Sequence, residues 1–294
     1  MKKISSLISL SIIFFYSTLL VADEKSGVIN NITSGFSSAL EAMIGGEGDT
    51  EVEIIVGEDY KPEFSIMTVR PLSQHEGVNA WFVQLQLNDT KIRSKSRLST
   101  NVGVGYRTLG DDKTSMTGGN LFIDYDEDGN ARASLGIELR SASFETLVNY
   151  YQGLSGAKTV GNYTERVLDG SEISLIGQIP YLPWASIIAN HYEWSAEKNS
   201  KDSKGEKISL ELTLTPTLLV DVGYDDNNIS GTSNFAKIMF VYPPRDRVAA
   251  STNFIGDTAF SQADMSLELL SKVRRTNKII IESEGSGLVM ARGN

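Results

Sequence analysis

"RLSTNVGVGYRTLG", residues 97–110, decides the fold. Leu98, Val102, Val104 and Tyr106 fall on one side of an extended chain. Arg97, Ser99, Asn101, Gly103, Gly105 and Arg107 fall on the other. A period of two marks a β-strand with unlike faces. The polar face is glycine-rich and sparsely charged. The outside of a water-soluble sandwich is densely charged, whereas a barrel lumen needs only Gly, Ser, Asn and paired charges while the apolar face meets lipid.

The same alternation recurs outward from this stretch. Trp81, Val83, Leu85 and Leu87 oppose Phe82, Gln84, Gln86 and Asn88. Ala133, Leu135, Ile137 and Leu139 oppose Arg132, Ser134, Glu138 and Arg140. Ile208, Leu210, Leu212 and Leu214 oppose Ser209, Glu211, Thr213 and Thr215, and Leu218, Val220, Val222 and Tyr224 oppose Leu219, Asp221, Gly223 and Asp225. Strand-like composition runs over 51–57, 63–72, 78–88, 97–108, 118–126, 131–142, 144–153, 171–179, 184–196, 206–215, 217–225 and 233–242. The expectation is an all-β fold, a twelve-stranded antiparallel transmembrane β-barrel with a short N-terminal helix and a C-terminal linker segment. Closure leaves no unpaired strand edge in lipid.

Two residue sets follow from this register. Trp81, Tyr106, Tyr125, Tyr224 and Tyr242 lie on the apolar face near strand ends, where aromatic girdles meet the membrane interfaces. Arg97, Arg107, Asp124, Arg132, Glu138, Arg140, Glu211 and Asp221 share the polar faces and are expected to face the lumen and pair across strands. Glycines 103, 105, 136 and 223 on those faces suggest room for a chain inside the lumen.

The connections supply an orientation. With a periplasmic N-terminus, Asp89–Ser96, Leu154–Gly170, Glu197–Gly205 and Asp226–Thr232 face outward, and all are polar and long. Pro180–Pro183 and the links at Ser143 and Pro216 face inward and are short. Thr108–Thr117 is a long connection on the short side.

Lys2 and Lys3, an apolar run from about Leu7 to Val21, and Ala22 before Asp23 read as an export signal over 1–22. A periplasmic segment over 23–50 follows, in which Phe36, Ala39, Leu40, Met43 and Ile44 recur at helical spacing. The barrel is placed at 51–242 and a linker or pore segment at 243–294. In that tail Met265, Leu269 and Val273, with Leu267 and Leu270, suggest a short amphipathic helix, and Ile279 to Ile281 a stub of strand. Arg274 and Arg275 are expected to pair with Glu138 or Glu211.

A formal net charge of -10 offers no basic stripe for nucleic acid. The absence of cysteine excludes disulfides and thiolate metal sites. Asp124, Asp126, Asp128 and Gly129 match the first half of a calcium loop, but Leu135 stands where the bidentate Glu belongs. A tight turn at 128–130 is the better reading. The histidines, His75 and His191, stand in no His-x-Ser pattern, and no G-x-S-x-G occurs. No enzyme, cofactor or metal is therefore expected. Asn-x-Thr at Asn31, Asn88 and Asn162 is taken as chance.

"NVGVGYRTL", "GGNLFIDYDEDGNARASLGIELRSASFETLVNYYQGLSG", "NYTERVLDGSEISLIGQIPYLPWASIIANHYE" and "LELTLTPTLLVDVGYDD", in this order, resemble the β-domain of the intimin and invasin family, the inverse autotransporters. The resemblance spans about Val52 to Tyr242 and continues weakly into "LLSKVRRTNKIIIESE". It implies an outer-membrane barrel with a periplasmic N-terminus, a linker returning through the pore, and a surface-exposed adhesive passenger. About fifty residues follow Tyr242, too few for a linker and an immunoglobulin-like domain of about 100 residues, so the passenger is expected to be absent or truncated.

The expected role is membrane anchor and translocation pore for the C-terminal segment, with surface adhesion as a further role. The alternative is a passenger-less channel or a surface-binding barrel acting through its loops. Expected partners are outer-membrane lipid, the barrel-assembly machinery and periplasmic chaperones. The sequence names no host or surface receptor.

Overall fold

The structure is a computed structural model that describes residues 47–57, 60–72, 77–92, 95–198, 201–244 and 248–284. The signal segment, the helix expected around Phe36 to Ile44 and His75 lie outside the described residues. The described residues belong to one compact unit, 46–294.

In chain order the strands are β1 (Asp49–Gly57), β2 (Tyr60–Pro71), β3 (Asn79–Ile92), β4 (Lys95–Leu109), β5 (Ser115–Asp126), β6 (Ala131–Ser141) and β7 (Phe144–Gly153). Then come β8 (Lys158–Val160), β9 (Tyr163–Val167), β10 (Gly170–Ile179), β11 (Leu182–Trp194), β12 (Ser203–Thr215), β13 (Leu218–Asn227) and β14 (Gly231–Tyr242), with β15 (Ile281–Glu284) near the C-terminus. Twelve of them, all but β8, β9 and β15, close into one antiparallel barrel sealed by β1 on β14. The chain is thus an all-β, outer-membrane-type barrel.

The opening stretch shows why. In β4 the residues from Arg97 to Leu109 alternate strictly between buried and outward-facing. Val102 and Val104 are exposed, while Arg97, Asn101 and Arg107 are buried. β4 pairs through fourteen residues with β3 and eleven with β5, so the register is pinned on both sides. A slip of one residue would turn Arg107 outward and Val104 inward.

Because strands alternate in direction, the two mouths can be told apart. The lower mouth carries the start of β1, the end of β2, the start of β3 and the connections 110–114, 142–143, 180–181 and 216–217. The upper mouth carries the ends of β1, β3 and β11, the starts of β2, β4 and β12, and the connections 127–130, 154–169 and 228–230. Two connections expected to be long are therefore corrected. The pairing of β3 with β4 continues to Ile92 and Lys95, and β13 and β14 pair as far as Asn227 and Gly231. Polar residues such as Asp89 and Lys91, ion-paired at 2.6 Å, continue a ladder that needs only backbone groups. They mark the end of the apolar belt and not the end of the strands.

At 127–130 the expected tight turn is present. Gly129 takes φ +88°, its N–H donates to the Asp126 carbonyl at 3.0 Å, and Asp126 Oδ1 accepts from the N–H of Asp128 and Asn130. The connection 154–169, expected as a long polar loop, contains β8 and β9; with β15 they form a three-stranded sheet.

Candidate functional site

The glycines of β4 shape the interior. A Cβ on Gly105 would stand 2.3 Å from the Phe82 ring, and one on Gly103 2.3 Å from the Phe122 ring. The rings lie flat against the wall where side chains are missing, and each offers its face to a guanidinium. Arg107 sits 4.4 Å over Phe82, and Arg275 of the tail sits 4.4 Å over Phe122. The space over Gly136 is taken by Asn120 and Asn149, and that over Gly223 by Ser209. This corrects the expectation that these glycines leave room for the chain directly. They make room for neighbouring wall side chains, and at Gly103 the ring then seats the tail.

The tail enters at the lower mouth. Beyond β14 the chain skirts the rim, where Ala250 N–H donates to the Thr213 carbonyl and Tyr181 N–H to that of Ala259, both at 2.9 Å. Met265 N–H donates to the Lys113 carbonyl at 2.9 Å, so the long 110–114 connection holds the point of entry. Asp264 caps a single 3-10 turn, Met265–Glu268, by accepting from Ser266 N–H at 2.8 Å; this bond holds its carboxyl below the usual range. The amphipathic helix expected here is only that turn. Met265, Leu269, Leu270 and Val273 are buried, but against Met67, Val69, Phe82 and Met116 of the wall. Leu267 is exposed.

From Leu269 the tail climbs the lumen, and wall side chains satisfy its backbone. Arg107 Nη1 donates to the carbonyls of Leu269 at 2.9 Å and Ser271 at 2.5 Å. Val273 N–H donates to Gln84 Oε1 at 2.8 Å. Asn149 donates to the Arg274 carbonyl at 3.1 Å, Arg132 to that of Thr276 at 2.7 Å, and Asn101 to that of Asn277 at 2.9 Å. Thr276 N–H donates to Tyr151 Oη at 2.8 Å and to Glu172 at 2.9 Å.

Four tail cations meet five wall carboxylates on the way. Lys272 pairs with Glu51 and Lys278 with Glu63. Arg274 grips Glu211 through two bonds of 2.9 and 2.7 Å, with Glu145 at 3.5 Å. Arg275 grips Asp124 through bonds of 3.0 and 2.5 Å. Of the partners expected for the two arginines, Glu211 takes Arg274. Glu138 does not take part, because Arg107 Nε holds it at 2.5 Å and Arg140 lies 3.8 Å away.

The remaining inward charges hold the wall and the two mouths. Arg132 bonds Asp124 at 2.7 Å. Arg140 bonds Glu145 at 3.0 Å and donates to Ser271 Oγ at 2.7 Å. Asp221 lies 3.6 Å from Lys237. At the upper mouth Arg97 grips Glu165 of β9 at 2.7 and 2.9 Å and reaches Asp128 at 2.7 Å. This pairing seats the 154–169 sheet on the barrel. Ile280 accepts from Leu168 N–H at 3.0 Å, and β15 then pairs antiparallel with β9. Sequence reasoning missed Glu51, Glu63, Glu145, Glu165 and Glu172, although Glu51 and Glu63 stand on alternating strands and share the polar period of their neighbours.

On the outside, Trp81, Tyr125, Tyr224 and Tyr242 are exposed, and Tyr106 packs on Trp81 with ring centroids 5.0 Å apart. Trp81, Tyr106 and Tyr242 lie toward the lower mouth, Tyr125 and Tyr224 toward the upper. His191 is exposed on the outer face near the upper end of β11, 3.7 Å from Glu206. Among the described residues no His, Asp and Glu cluster suits a metal ion.

The sequence matches the family described as inverse autotransporter, beta-domain, over residues 15–277. The chain belongs to the inverse autotransporter β-domain family. The match runs into the tail as far as Asn277, so the threaded segment lies within the family unit up to that residue. Family and fold are those of outer-membrane barrels. No curated protein matches the chain. A solved structure described as "Unveiling the Mechanism Behind the in-meso Crystallization of Membrane Proteins" shares the fold at TM-score 0.64 and 23% identity, over 81% of this chain and 99% of that one. The KdgM porin aligns at TM-score 0.45 and 7% identity over 65% of this chain and 98% of its own. The NanC porin aligns at 0.43 and 12% over 66% and 98%.

Proposed function

We propose that this barrel anchors its chain in the outer membrane and is the conduit through which its C-terminal segment reaches the cell surface. The observation that carries the reading is the path of residues 265–281, from the 110–114 turn at the lower mouth to β9 at the upper. A fully extended chain rises about 3.3 Å per residue, so the eleven steps from Leu269 to Ile280 can reach up to about 36 Å, enough to cross the ~25 Å apolar band of such barrels. In this reading the lower mouth is periplasmic and the 154–169 and 195–202 connections are extracellular. Residues 1–22 are the cleaved export signal, and the assembly machinery and periplasmic chaperones deliver the barrel. Anything that follows residue 284 leaves at the surface, where a receptor would meet it. An epitope at the C-terminus should bind antibody on intact cells, and one at residue 254 only after the outer membrane is permeabilised. The reverse pattern would refute the orientation.

A second reading, a channel, rests on one feature. Beside the tail, on the β10–β14 side, a cavity of about 110 Å³ remains, lined by Ser174, Asn190, Ser209, Asp221 and Lys237. Full-length protein that conducts as freely as protein lacking the tail would favour this reading over the conduit.

A further inference from the structure

The wall touches the tail through two sets of side chains with different chemistry. One set hydrogen-bonds the backbone. Gln84, Asn101, Arg107, Arg132, Asn149 and Tyr151 bond the N–H or carbonyl groups of residues 269–277. Every residue of a polypeptide other than proline presents these groups, so this set can hold any extended segment. The other set addresses charge. Glu51, Glu63, Asp124 and Glu211 meet Lys272, Lys278, Arg275 and Arg274. All four tail cations fall within seven residues, "KVRRTNK", and their partners come from four different strands.

Taking this conduit reading as given, we propose that Glu51, Glu63, Asp124 and Glu211 are the residues that set the register of the chain in the lumen. The backbone-directed set forms a track along which an extended chain can lie at successive offsets, exchanging one peptide group for the next. The carboxylates define a single stop, the offset at which K-x-R-R-x-x-K faces them. Shifting by one residue places Val273 or Thr276 before one of these buried carboxylates and takes at least one guanidinium off its bidentate partner. An uncompensated buried charge of this kind is strongly unfavourable. The two arginines enforce the register most sharply, because a guanidinium grips a carboxylate in a fixed fork and not as a point charge. Both of these pairs are bidentate. Segments without this charge pattern would find no stop and pass on.

The absence of cysteine allows a direct test in the full-length protein. Ser134 is inward, buried and paired in register with Phe122 and Tyr151, the two rings that flank Arg275. Ser134→Cys is combined, one at a time, with Ser271→Cys, Val273→Cys, Thr276→Cys or Asn277→Cys, and a short bis-thiol reagent is applied. With native charges the yield should peak at Thr276→Cys. In the background Lys272→Gln, Arg274→Gln, Arg275→Gln, Lys278→Gln the peak should be lost and the yield spread over all four positions. Should that background fail to assemble, adding Glu51→Gln, Glu63→Gln and Glu211→Gln removes the stranded carboxylates while leaving the backbone-directed side chains in place. A peak that stays at Thr276→Cys in the neutralised backgrounds overturns the register proposal and leaves the conduit reading intact. Loss of all cross-links in those backgrounds also overturns it, because the track alone would then not hold the chain. No cross-link at any position with native charges overturns the conduit reading itself.

Discussion

Arg275 and Asp124 are 151 residues apart in sequence and joined by two parallel bonds of 3.0 and 2.5 Å in the middle of the lumen. Asp124 belongs to the wall, and Arg275 to the tail that fills it. Arg132 holds the same carboxylate from the neighbouring strand at 2.7 Å, so one wall anion serves two buried cations. Opposite, Gly103 lets Phe122 lie flat beneath Arg275. One glycine, one ring and one carboxylate thus make the seat for one tail residue.

Asp124→Ala strands both guanidiniums in a buried site. Removing one partner of such a pair costs about 3–5 kcal/mol. The temperature at which the barrel loses its folded mobility on a gel should fall well below that of the parent. An unchanged transition would mean that the pair contributes nothing to the assembled state.

Gly103→Val places a branched side chain where the Phe122 ring lies, and overpacking of this kind costs about 1–3 kcal/mol or more. Displacing the ring also disturbs Arg275. Gly177→Val offers a control, since nothing lies within 4 Å of a Cβ there. The prediction is a lower folding yield for the first and parent-like yield for the second.

Leu135 is outward and exposed near the middle of β6. Leu135→Arg should impair membrane assembly by roughly 2–4 kcal/mol, whereas His191→Arg, outward but close to the upper rim, should cost about 0–1 kcal/mol. Equal losses in urea titrations of the two variants would show that the outer face is not graded by depth as a lipid-facing surface is.

Deleting residues from Val248 onward should leave an inserted barrel with larger single-channel conductance in planar bilayers, because the polar residues now bonded to the tail would line open water. Arg107, Arg132 and Asn101 would each lose a tail carbonyl.

The barrel was legible in the sequence because alternation is a local signal that burial on one face enforces along the whole strand. Leu98 to Arg107 shows it without any tertiary information. The tail was less legible. Met265, Leu269 and Val273 recur at helical spacing, yet the lower lumen is apolar and the wall supplies backbone partners, so an extended chain satisfies the same residues. Strands β8 and β9 are three and five residues long within a polar connection. Their stability comes from Glu165 on Arg97 and from β15, contacts 68 and more residues away that no local pattern reports. The partner of Arg275 was hidden for the same reason: Asp124 was recognisable as inward, but which inward carboxylate meets which tail cation depends on the offset of the threaded chain.

The central claim is that the chain crosses the membrane through its own barrel, and accessibility of its two ends tests it most directly. Glu284 is exposed beyond the upper mouth and Phe254 is exposed at the lower rim. With no native cysteine, Glu284→Cys and Phe254→Cys each carry one thiol. A membrane-impermeant maleimide on intact cells should label Glu284→Cys and reach Phe254→Cys only after the outer membrane is opened. Labelling of Phe254→Cys on intact cells while Glu284→Cys stays protected would contradict the account.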